Sequence, residues 1–104
     1  MRINNIIIPQ EKISEFCKRW NITEFALFGS VLREDFSINS DVDALVTFAP
    51  ETRRTLFDIS KMQDELQKIF GRNVDVVSKR GVEMSRNYIR RKAILSSAEV
   101  IYVS

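Results

Sequence analysis

The chain contains no histidine, one cysteine, two prolines and three glycines among its 104 residues. The lack of histidine excludes Ser-His-Asp and Cys-His catalysis, imidazole general bases and His-containing zinc sites. Any chemistry must therefore run on carboxylates, basic side chains and bound cations. Cys17 has no second cysteine to pair with, which suits a reducing cytoplasm. No apolar run approaches the length of a membrane span. The N-terminus also lacks the apolar segment and small-residue cleavage site of an export signal, so a cytoplasmic location is expected. Charge of one sign is scarce as well: 16 Lys and Arg against 14 Asp and Glu leave +2. Direct nucleic-acid binding is not expected from so small a net charge.

What the chain does have is an ordinary globular composition, 44% hydrophobic and 29% charged, expected to form a single domain over residues 1–104. Ile6, Ile7 and Ile8 suit an edge strand or a staple against the first helix. Pro9 sits where proline favours a helix's first turn. Ile13, Phe16, Cys17 and Trp20 follow the spacing of one buried helix face, which makes Cys17 a core residue. Phe25 to Phe28 predicts a central strand buried on both faces. Val31 to Phe36 is expected to make one or two helical turns, and Ser37 to Ser40 a polar loop. Val42 to Phe48 predicts a second strand. Leu56, Ile59, Met62, Leu66, Ile69 and Phe70 recur at helical spacing, with Gly71 as the stop. Val74 to Val77 predicts a third strand, Met84 to Leu95 a basic helix, and Val100 to Val103 a last strand. Helices alternating with strands predict an α/β layer structure.

The stretch from Phe25 to Phe48 organises the rest. Along a strand alternate side chains share a face, so Asp41 and Asp43 project together, roughly 6–7 Å apart at the backbone. Two carboxylates about 5 Å apart repel by about 3 kcal/mol at an effective dielectric of about 20. A divalent cation would turn that repulsion into attraction, and hard oxygen ligands suit magnesium. Asp75 likewise interrupts a run of valines, and all three aspartates are expected on central strands sharing a face. Gly29-Ser30 follows one strand and opens the next segment. There, unpaired N–H groups suit a phosphate, while an ordinary N-cap serine is the plainer alternative. Arg33 in the first turn opposes the helix dipole; it either reaches the same phosphate or pairs with Asp35. Lys79, Arg80, Arg86, Arg90, Arg91 and Lys92 form a basic patch, read either as a solvated face or as a surface for a triphosphate, an acidic partner or RNA.

Gly29-Ser30, Arg33, then Ser40-Asp41-x-Asp43, with Asp75 on a later strand, resembles the signature of the minimal nucleotidyltransferases of the DNA polymerase β-like superfamily. The likeness runs from about Ile13 to Tyr102. It departs from the usual pattern at Ala44 and at Ile38-Asn39, neither of which is a proposed ligand. It implies a mixed sheet of about four strands flanked by helices, and a two-metal transfer of AMP from ATP. By position, Asp41, Asp43 and Asp75 would be the catalytic metal ligands for two magnesium ions. Gly29, Ser30, Arg33 and Ser40 would bind the nucleotide. The resemblance further implies an antitoxin that modifies a hydroxyl, expected to be a tyrosine, on a HEPN-type ribonuclease toxin within a hetero-oligomer. The alternative is a non-catalytic antitoxin that neutralises its partner by complex formation.

Overall fold

The computed structural model describes residues 2–3, 6–32 and 41–104, with the backbone alone at 2, 3, 6, 30 and 31. A two-residue ribbon, β1 (Arg2–Ile3) with β2 (Ile6–Ile7), precedes the first helix. Helix α1 (Gln10–Arg19) buries Ile13, Phe16 and Cys17, and Pro9 serves as its N-cap residue. Four further strands form one sheet: β3 (Ile22–Phe28), β4 (Val42–Phe48), β5 (Val74–Ser78) and β6 (Glu99–Val103). Their order is β5-β4-β3-β6, with β3 antiparallel to both β4 and β6 and β4 parallel to β5. The sheet is therefore mixed, as expected.

Alternation along β3, β4 and β5 divides the sheet into two faces. Phe25, Leu27, Val42, Ala44, Val46, Val74 and Val76 point to one face and form the main core with α1 and Met62 and Leu66 of α2 (Leu56–Phe70). Ala26, Phe28 and Leu45 point to the other, where they meet Val82 and Ile94 in a smaller cluster. Helix α2 starts with a reciprocal Thr55–Asp58 capping box and ends at Gly71 with φ +73°. Its first residue, Leu56, is 89% exposed, so the buried stripe begins one turn later than its spacing predicts.

Two elements differ from expectation. The basic segment is split into α3 (Lys79–Glu83) and α4 (Tyr88–Ser97), because Ser78 and Asn87 each cap a separate helix start. Strand β5, expected to be central, lies at an edge of the sheet. Its valines are apolar because α2 covers them, and its outward Val76 N–H donates to Gln63 Oε1 of α2 at 2.9 Å. A side chain thus replaces the missing neighbour strand. Two residues further along α2, Glu65 accepts from Trp20 Nε1 at 3.1 Å and from Arg19 Nη1 at 3.0 Å, joining α2 to Arg19 at the end of α1 and to the Trp20 that follows it.

Candidate active site

Strand β3 runs into a 3₁₀ turn, Gly29–Leu32, where a short α-helix was expected from Val31 onward; residues 33–40 lie outside the described residues. Gly29 has φ +75°, a region that residues with a Cβ adopt only with strain. A Cβ built on Gly29 would also lie 2.5 Å from Oδ2 of Asp43. Two constraints therefore favour glycine: the turn's backbone angle, and the Asp43 carboxylate, which a Cβ would push out of its seat.

Strand register accounts for that seat. Asp43 faces Phe28, the residue before Gly29, across the antiparallel β3–β4 pair. On its other flank Asp43 is the register partner of Asp75 in parallel β5. Register partners on neighbouring strands point to the same face, with backbones roughly 5 Å apart. Asp43 and Asp75 thus stand side by side on the face that carries Phe28 and Leu45. Asp41 directly precedes β4, rather than lying within it, and is two positions from Asp43. The Val42 N–H donates to the Asn73 carbonyl at 2.9 Å, which aligns the starts of β4 and β5. Asp41 and Asp75 are exposed, and Asp43 is half-buried.

The expected site is thus assembled in part. Gly29, Asp43 and Asp75 are brought together by register, with Asp41 beside them. Ser30 follows Gly29 in the turn. Arg33 and Ser40 lie outside the described residues. Among the described residues, no three His, Cys, Asp or Glu side chains converge closely enough to hold a metal ion. Rotation about side-chain χ angles, without backbone movement, is the freedom that would bring adjacent aspartates together. The donor set is nonetheless one that suits magnesium, all hard carboxylate oxygens. Glycine at position 29 keeps clear the space beside the Asp43 carboxylate that a side chain would fill.

Helix α4 lies over this same face through Ile94, which packs with Phe28. A cleft of about 370 Å³ between the Gly29 turn and α4 is lined by Phe28, Gly29, Leu32, Arg90, Ala93, Ile94 and Ser97. Arg90 also lines a second, smaller cleft beside Val77 and Val82. Its position at the site was not legible from sequence, where it was one of six cations in a patch. The weak signal available was its place near the start of a helix, where a cation opposes the dipole. None of the helices among the described residues is long and apolar enough to cross a membrane.

A mixed sheet that presents paired aspartates beside a glycine turn at one end is the framework of a nucleotidyl-transfer fold. The chain belongs to the nucleotidyltransferase domain family, whose model matches residues 10–101. It is 31% identical over 101 residues to the protein adenylyltransferase MntA of Thermococcus cleftensis, covering 97% of this chain and 92% of that protein. Among solved structures, a toxin–antitoxin complex with AMP-PNP matches at TM-score 0.70 and 19% identity, over 92% of this chain and 74% of that one. A complex of a tri-AMPylated Shewanella oneidensis HEPN toxin with MNT antitoxin matches at TM-score 0.61 and 18% identity, over 91% and 70% of the two chains. The expected nucleotidyltransferase fold is therefore the observed one.

Proposed function

We propose that this chain is an adenylyltransferase that moves AMP from ATP to a tyrosine hydroxyl of a HEPN-type ribonuclease toxin and so acts as its antitoxin. The observation that carries this reading is the register pairing of Asp43 with Asp75 next to the Gly29 turn. The names of its relatives support it: a protein adenylyltransferase at 31% identity, and fold neighbours in toxin–antitoxin complexes. Residues 1–104 would form one minimal nucleotidyltransferase domain, with the acceptor supplied by the partner.

In this reading Asp41 and Asp43 would hold the magnesium ions, with Asp75 as a further carboxylate ligand. Magnesium, when bound, supplies Lewis acidity and neutralises charge on the pyrophosphate leaving group. The Gly29-Ser30 turn lets the triphosphate approach the backbone closely, with Arg33 and Ser40 as further nucleotide-binding candidates. Asp75, on an edge strand and exposed, is the carboxylate best placed to meet an acceptor arriving from solvent. The acceptor oxygen bonds to the α-phosphorus as the bond from that phosphorus to the pyrophosphate oxygen breaks. The hydroxyl proton leaves the acceptor, and Asp75 is the candidate to take it. Exposed Met84 at the end of α3, with Tyr88 and Ile89 at the start of α4, offers apolar contact area for a protein partner on this side.

The second reading is an antitoxin that acts by binding alone. The two readings separate in one assay with purified toxin, magnesium and ATP labelled at the α-phosphate. The transferase reading expects a labelled toxin band that Asp43→Asn abolishes and that mass spectrometry places on tyrosine. Full neutralisation by an Asp41→Asn, Asp43→Asn double variant, with no label transferred by the wild type, would sink it in favour of complex formation.

A further inference from the structure

We infer that Arg90 of α4 is a nucleotide-binding residue that holds a non-transferred phosphate of the triphosphate across the cleft from Gly29. This rests on the nucleotidyl-transfer reading and deepens it, by naming a cation on a separate element, in addition to the candidate Arg33, for the triphosphate tail. Three observations converge on Arg90. Among the described residues it is the one charged residue lining the cleft whose other wall is Phe28, Gly29 and Leu32. Gly29 in turn touches Asp43, so the cleft opens directly beside the candidate metal carboxylates.

The second observation is the contrast with its neighbour. Arg91 also lines a cleft, but its Nη1 donates to the carbonyls of Ser85 and Glu83 at 3.3 and 3.4 Å and its guanidinium stacks over Tyr88. Arg91 is thus committed to the α3–α4 corner. The Arg90 backbone N–H is capped by Asn87 Oδ1 at 3.0 Å, whereas no partner holds its guanidinium among the described residues. Third, Arg90 is the third residue of α4, where a cation is opposed by the helix dipole. An arginine in a position that its own helix disfavours, lining a cleft and carrying a fork of donors, suits a phosphate oxygen.

The test compares wild type, Arg90→Ala, Arg90→Lys and, as a remote control, Lys68→Ala on α2. Binding of AMP-PNP and of AMP is measured by calorimetry with magnesium, and transfer kinetics to the toxin in parallel. Arg90→Ala should weaken AMP-PNP binding and raise KM for ATP roughly 10- to 100-fold, the range for losing a charge-assisted hydrogen bond. AMP binding and kcat should change far less, Arg90→Lys should recover part of the loss, and Lys68→Ala should match wild type. Unchanged AMP-PNP affinity in Arg90→Ala would overturn the assignment, as would an equal loss for AMP and AMP-PNP. Either result leaves the transfer reading standing if Asp43→Asn still abolishes labelling. Persistent labelling by Asp43→Asn would instead overturn that reading and leave the AMP-PNP comparison to judge Arg90.

Discussion

At the scale of single residues, Gly29 carries the most information. Its φ of +75° and the 2.5 Å approach of Asp43 Oδ2 to a would-be Cβ act on different quantities. The backbone angle costs an alanine about 1–2 kcal/mol of stability. The Cβ would in addition push away the end of a flexible side chain, which yields easily but then leaves its working position. Gly29→Ala should therefore lower stability by about 1–2 kcal/mol in denaturant unfolding. AMP transfer should fall roughly 100-fold, as expected for reacting groups displaced by about 1 Å. Equal transfer by the two proteins would show that the Asp43 seat is irrelevant to chemistry. The residue types were legible in the chain: Asp41, Asp43 and Asp75 each interrupt or precede an apolar run, which carboxylates do at a cost. The contact between Gly29 and Asp43 was not. It joins positions 14 apart in sequence through an antiparallel register that no local pattern encodes.

At the scale of elements, the strand that carries Asp75 depends on a side chain from α2. Gln63 Oε1 accepts the Val76 N–H at 2.9 Å and so satisfies the open edge of β5 next to the candidate ligand. Gln63→Ala should cost about 1 kcal/mol, the net worth of a hydrogen bond, and should speed amide exchange at Val76 more than at Val46 of central β4. Equal exchange changes at both sites would mean that Gln63 supports the whole sheet and not its edge. Periodicity located every strand of the main sheet, since alternating or wholly apolar runs leave few options over five to seven residues. It misplaced β5 as central because burial by a covering helix and burial by a neighbouring strand select the same valines. It fused α3 and α4 because Ser78 and Asn87, as caps, are weak signals within a strongly basic run.

At the scale of the whole molecule, global stability should carry the mark of Cys17. It lies fully buried in the main core, and that burial pushes its thiol from 9.0 up to about 12. Between those values the unfolded chain releases its thiol proton while the folded chain keeps it. The unfolded state then binds fewer protons, so stability falls as pH rises. Stability should be level in this respect below pH 9 and should decline by up to roughly 1.4 kcal/mol per pH unit above it. Urea unfolding at pH 8, 10 and 11 should show that slope in the wild type and a shallower one in Cys17→Ala; parallel slopes would refute it. The sequence by itself determined the chemical repertoire: without histidine and with a lone buried thiol, only carboxylates, bound cations and basic side chains were left. It also determined the strands of the main sheet and helices α1 and α2, because side-chain periodicity is local. Only the tertiary structure decided which of these segments are neighbours. Asp43 stands beside Asp75, and Arg90 over the cleft at Gly29, because strand order and helix placement are set by how the whole apolar surface is buried together.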